Sequence, residues 1–251
     1  MTRLEWLDRF LRVRKCAACG EILAWTPDPG AFCPDCLSKW EFAKVESCPS
    51  CFRSAADCTC MPKLLSDSGA LCLRKLFFYR SARYKEVPNR LLYFIKRHQN
   101  KRVFDHLARE LMPPLWEELQ TLGVEDPAQS CLFVSLPRGW TARSQYGFDQ
   151  SERVCQALSA LCEIPYLPLI RRKLGGVAQK TLNKKQRLRN MKRRLVLREK
   201  RLAKSGIELS KRTVILFDDL VTTGATMSAA VSLLRRAGVR HVLCLALAKA
   251  E

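Results

Sequence analysis

The segment Asp218-Asp219-Leu220-Val221-Thr222-Thr223-Gly224-Ala225-Thr226 gathers two acids, three threonines and a glycine into one stretch. A turn opening onto a helix N-terminus offers unpaired backbone N–H groups and a partial positive charge to an anion. Gly224 lets the backbone approach closely, and Thr222, Thr223 and Thr226 add hydroxyl donors, so the turn suits a monophosphate. The two carboxylates would repel that phosphate. They make sense as acceptors from sugar hydroxyls, and the combination describes a ribose 5-phosphate. No Gly-Lys-Ser/Thr follows, which excludes a Walker loop, and the glycine triad of a dinucleotide loop is missing.

A second chemistry lies near the start. Eight of the 13 cysteines form four close pairs, Cys16/Cys19, Cys33/Cys36, Cys48/Cys51 and Cys58/Cys60. Two thiolates on a tight turn are spaced to grip one zinc ion, and two such pairs complete a tetrahedron. All-thiolate sites are closed, so this zinc is expected to be structural. The single residue between Cys58 and Cys60 is a tighter spacing and leaves open whether the second site is regular, distorted or empty. Cys72, Cys131, Cys155, Cys162 and Cys244 sit in apolar surroundings and read as small core residues.

These groups need elements to hold them. Residues 213–217 read as a buried strand, 218–226 as a polar turn, 227–237 as an amphipathic helix with Gly238 at its end, and 241–248 as a buried strand. This is a βαβ unit. An apolar run at 131–136 reads as another strand and 150–161 as a helix. Residues 89–120 read as helical with an interruption at Pro113-Pro114, 127–130 as a loop, and 71–86 as strands or a hairpin. The fold class is α/β, a parallel sheet flanked by helices, where ligands collect at the carboxyl ends of the strands.

The chain has 251 residues, 44 Lys and Arg against 24 Asp and Glu, and 47% hydrophobic residues. That composition excludes a wholly disordered chain. Residues 171–212 carry 17 Lys and Arg and two acids, so fifteen of the twenty net positive charges lie there. Such a run is either a solvated loop or a surface for a nucleic-acid backbone; Arg187, Arg189, Lys192, Arg193 and Arg194 are the candidates for the latter. No window approaches the roughly 18 apolar residues of a membrane helix, and the opening residues mix charges where a signal peptide needs an apolar stretch. A cytoplasmic protein without membrane contact is expected.

The Asp218-Asp219 to Thr226 pattern resembles the phosphoribosyl pyrophosphate (PRPP) loop of type I phosphoribosyltransferases. The Cys pairs, Ile95-Lys96, Val134-Ser135-Leu136-Pro137, Gly147-Phe148-Asp149-Gln150, Gln179 and Arg187-Leu188-Arg189-Asn190 narrow the resemblance to the ComF/GntX family. It implies a zinc-ribbon module over residues 1–62 and a phosphoribosyltransferase-like domain over 63–251 with a basic insert at 171–212. It also implies that Asp218 and Asp219 act on the ribose hydroxyls, that Thr222, Thr223, Gly224, Ala225 and Thr226 hold the 5-phosphate, and that Pro137 and Arg138 begin a pyrophosphate loop. Zn2+ would be structural and Mg2+ would accompany PRPP, with Lys96, Arg138, Arg187 and Arg189 as cations for the leaving group. Implied partners are PRPP, single-stranded DNA, and a DNA-uptake helicase or other competence protein. The readings are a PRPP-binding factor in DNA uptake, an active phosphoribosyltransferase with an unknown acceptor, and a zinc-ribbon adaptor. The family has Arg-Gly-Phe-Asn-Gln where this chain has Tyr146-Gly147-Phe148-Asp149-Gln150, a departure that removes one cation and one neutral amide.

Overall fold

A computed structural model describes residues 14–23, 30–173 and 194–251. Helix α1 (Pro34–Lys44) and the short α2 (Lys63–Ser66) precede strands β1 (Leu73–Arg74) and β2 (Phe77–Tyr79). Helices α3 (Val87–Arg97), α4 (Lys101–Thr121) and the short α5 (Pro127–Ser130) lead to β3 (Cys131–Ser135). Then come α6 (Trp140–Tyr146), α7 (Gln150–Cys162), the strands β4 (Ile170–Arg172) and β5 (Leu195–Leu197), and α8 (Glu199–Ser205). The chain closes with β6 (Thr213–Val221), α9 (Ala225–Arg236) and β7 (His241–Ala250).

The main sheet is wholly parallel: β3 pairs with β6, β6 with β7, and β1 and β2 both pair along β7. Strand alternation divides the core. Phe133, Ile215, Phe217, Leu243 and Leu245 face α3, α4 and α7, while Leu132, Val134, Val214, Leu216 and Val242 face α9 and the antiparallel β4–β5 pair. Both faces are covered, which is why β3, β6 and β7 are almost continuously apolar. The first cysteine cluster joins the former core, where Trp40, 0% exposed, packs against Phe32 and Phe77.

Three expectations are corrected and one open alternative is resolved. Helix α4 runs through Pro113 and Pro114 without a break. Leu107, Leu111, Leu115 and Leu119, at helical spacing and all buried, keep it packed despite a cost of about 3 kcal/mol per interior proline. Residues 127–130 form a helical turn capped by Asp126, whose side chain accepts from Gln129 N. Of the two readings of 71–86, strands are borne out: β1 and β2 do not pair as a hairpin, and both extend the sheet beyond β7. Finally, β6 continues to Val221, so Asp218 and Asp219 belong to the strand, and the turn is only Thr222–Gly224 before α9 begins at Ala225.

Candidate functional site

Because neighbouring strand residues point to opposite faces, Asp218 and Asp219 are aimed apart. Asp219 follows Ile215 and Phe217 toward α3 and α7. There its Oδ2 accepts from Gln150 Nε2 at 2.9 Å and lies 3.2 Å from Lys96 Nζ. Asp218 faces the other way and lines a small pocket with Val221, Thr222, Thr223, Gly224, Ala225 and Thr226. Burial, together with the Asp219 charge, pushes the Asp218 carboxyl well above the usual carboxylate range, against the pull of the Asp219 amide and Arg172.

Gly224 turns the chain into α9 with φ +75°, a conformation glycine adopts without strain. A Cβ there would lie 3.2 Å from Pro62 Cβ and Cγ, so the turn rests on the segment that leaves the second cysteine cluster. Thr223 Oγ1 accepts from the first amide of α9, Ala225 N, at 3.4 Å, and Gly224 at the N-cap has no side chain to accept from the next ones. The helix thus presents its N-terminal N–H groups and positive dipole end to the pocket, as an anion requires.

The loop after β3 closes the other side. Arg138 N donates to Asp149 Oδ2 at 2.6 Å, and Arg138 Nη1 donates to the Lys96 carbonyl at 2.7 Å. Its guanidinium lies 4.7 Å from the Tyr146 ring centroid. Asp149 Oδ1 accepts from Ser151 N and Glu152 N, capping α7. Both carboxylate oxygens therefore accept, and this is what Asp gains over the family's Asn at this position. Arg172 Nε donates to the Pro137 carbonyl at 2.8 Å. Burial lowers the Arg172 pKa, while the Asp218 charge acts the other way.

The structure thus brings together Asp218, Asp219, Thr222–Thr226, Pro137, Arg138 and Lys96 around the carboxyl ends of β3 and β6. Arg172, Asp149, Gln150 and Tyr146 join them. Arg172 was hidden in the basic run, and only its pairing with Pro137 distinguishes it. Of the nucleic-acid candidates, Arg187, Arg189, Lys192 and Arg193 lie outside the described residues. Arg194 precedes β5, and its carbonyl accepts from Lys173 N at 2.7 Å.

Both cysteine clusters close. The Sγ atoms of Cys16, Cys19, Cys33 and Cys36 lie within 4.8 Å of one another, as do those of Cys48, Cys51, Cys58 and Cys60. A zinc tetrahedron with Zn–S of about 2.3 Å has S···S edges near 3.8 Å, and Cys19 and Cys33 stand 3.7 Å apart. The one-residue Cys58/Cys60 spacing does not prevent closure. Within each cluster the thiols are driven apart in acidity. Burial raises Cys16 and Cys48, but backbone amides, those of Cys19 and Cys33 for one and of Ser50 and Cys51 for the other, bring them down to about 7 and about 6. The Cys36 amide lowers Cys33, yet burial and the Glu21 and Cys19 side chains carry it to about 11; burial and its neighbouring cysteines take Cys60 to about 12.

No helix among the described residues is long and apolar enough to cross a membrane. No family model matches the sequence. Among solved structures, similarity extends to an allosteric regulatory enzyme of purine biosynthesis (18% identity, TM-score 0.35, 57% of this chain and 25% of that one). It also extends to the adenine phosphoribosyl transferase of Trypanosoma brucei (13% identity, TM-score 0.31, 85% and 79%). Among sequences, Competence protein ComFC of Streptococcus pneumoniae is 26% identical over 247 residues, covering 91% of this chain and 96% of that one. Competence protein F of Haemophilus influenzae is 34% identical over 105 residues, 41% of this chain and 44% of that one. The DNA utilization protein YhgH of Escherichia coli K12 is 26% identical over 162 residues, 64% and 66%. Similarity along nearly the whole of one competence protein, repeated in part by two further relatives, supports the ComF family for this chain.

Proposed function

We propose that the chain binds PRPP at the carboxyl ends of β3 and β6, in the manner of a phosphoribosyltransferase, and serves the uptake and use of external DNA. The observation that carries this reading is Asp218 lining one pocket with the N-terminus of α9, where Gly224 at the N-cap brings no side chain, while Asp219 is held by Lys96 and Gln150. The amides of Thr222–Thr226 bind the 5-phosphate, Asp218 and Asp219 accept from the ribose hydroxyls, and Pro137 and Arg138 face the pyrophosphate. Asp218, held away from water, regains a favourable charged form when hydroxyl donors arrive. Mg2+, an oxygen-seeking cation, would accompany PRPP and supply charge neutralisation of the pyrophosphate, with Pro137 and Arg138 facing that group.

If PRPP is turned over, the bond from the anomeric carbon to the pyrophosphate oxygen breaks and the pyrophosphate leaves with the electron pair. The acceptor forms the new bond, so Asp218 and Asp219 serve by orienting the sugar and stabilising its cationic centre. The zinc clusters fold residues 1–62, with 63–251 as the phosphoribosyltransferase-like domain. The basic stretch within 171–212 contacts single-stranded DNA through its phosphates, in the cytoplasm, alongside a helicase or other competence protein. Equilibrium dialysis with labelled PRPP and Mg2+ tests the reading, and one PRPP per chain, displaced by ribose 5-phosphate, is expected. Pyrophosphate release in the same samples separates an enzyme from a PRPP-binding factor. Absence of PRPP retention by the folded protein contradicts both.

A further inference from the structure

Lys75 is 0% exposed, among the most deeply buried large side chains of the described residues. Its ammonium donates to the Cys58 carbonyl at 2.6 Å and lies 5.5 Å from the centroid of the Phe78 ring. Among the described residues no carboxylate pairs with it. The adjacent Arg74, also buried, shows the contrast: it pairs with Glu117 and, at 3.2 Å, with Glu118. Besides that carbonyl and ring face its partner is the Cys58 thiol, whose acidity it raises, and a desolvated ammonium is unfavourable unless a negative charge lies near. What surrounds it is the second cysteine cluster: Cys48, Ala55, Cys58 and Phe78 form one small core. A zinc ion bound by four thiolates carries a net charge of about −2.

We propose that Lys75 is the charge-balancing, positioning residue of the second cysteine cluster, and that it makes this cluster retain zinc more firmly than the first. The proposal rests on the zinc reading of the clusters. Beside the first cluster stands an acid, with Cys19 Sγ 3.9 Å from Glu21 Oε2, and Cys19 is exposed. Among the described residues the cations near it include the exposed Lys15, next to Cys16 in sequence, Lys39, which is exposed and paired with Asp35, and Arg102, half-buried and donating to the Lys15 and Gly30 carbonyls. Solvent screens such charges, whereas nothing screens Lys75. Outer partners of this kind change metal affinity by about 10 to 100-fold.

The test is zinc release from the full chain to a chromogenic chelator. The parent is expected to hold two zinc ions and to release them in a fast and a slow phase of equal size. Cys48→Ser, which leaves Lys75 in place, should remove the slow phase. Lys75→Met should speed the slow phase at least about tenfold, and Lys75→Arg should largely preserve it. A chain that binds no zinc overturns the zinc reading itself. Two zinc ions with the fast phase lost in Cys48→Ser, or a folded Lys75→Met with an unchanged slow phase, overturns the role of Lys75 alone.

Discussion

Lys96 Nζ and Gln150 Nε2 converge on the same oxygen of Asp219, Oδ2, tying the end of α3 and the start of α7 to the carboxyl end of β6. The Lys96 carbonyl in turn accepts from Arg138, so one residue of α3 touches both halves of the site. Lys96→Met should weaken PRPP binding on the order of tenfold, the scale of one charged hydrogen bond. Lys96→Gln should recover part of it. Calorimetric titration of both variants with PRPP and Mg2+ checks this.

Asp218 should cost the folded protein stability. Its folded pKa is raised, so the folded state binds the proton more tightly than the unfolded one. The stabilisation from that proton is present below the ordinary carboxylate range and is lost as pH rises toward the folded pKa. Asp218→Asn, which cannot ionise, should melt higher than the parent at pH 7, with the difference shrinking as pH falls to about 4. Thermal melts across that range measure it; a variant that is less stable at pH 7 would show the acid is not held against its own burial.

The contact of Gly224 with Pro62 predicts a second cost. Gly224→Ala places a Cβ 3.2 Å from the proline ring at φ +75°, where a side chain costs about 1–2 kcal/mol. Chemical denaturation should show a loss of that order. PRPP affinity should fall with it, because α2 and the turn must separate.

Asp149→Asn restores the family's residue and so tests the departure. One amide oxygen can still cap α7, but the amide N–H would face Arg138 N, donor against donor. A loss of about 1 kcal/mol is expected, with PRPP binding weakened through displacement of Arg138. An unchanged stability would mean that the Asp149–Arg138 contact is not made in solution.

Much of this was readable from residue patterns. The apolar runs at 131–136 and 241–248 announced buried parallel strands, and the Asp-Asp to Thr226 stretch announced an anion turn, because both signals are local. Asp218 and Asp219 concealed the true end of β6, since two acids in a strand look like a turn until their separate partners, Lys96 and Arg172, are in place. Pro113-Pro114 reads as a break because proline propensity is local, whereas the burial of the leucine stripe that overrides it is set by the tertiary fold. Lys75 gave no signal: a lysine in an alternating basic and apolar stretch reads as solvated. Only the fold carries it to the Cys58 carbonyl.

In the proposed complex Asp218 and Asp219 hold the sugar of PRPP. The most direct measurement is calorimetric titration of the zinc-loaded protein with PRPP and Mg2+, repeated on Asp218→Asn/Asp219→Asn after its zinc content is shown to match the parent. Saturable binding in the parent that disappears in the variant is the predicted result. Equal affinity in the two proteins, or no binding by the folded parent, would contradict it.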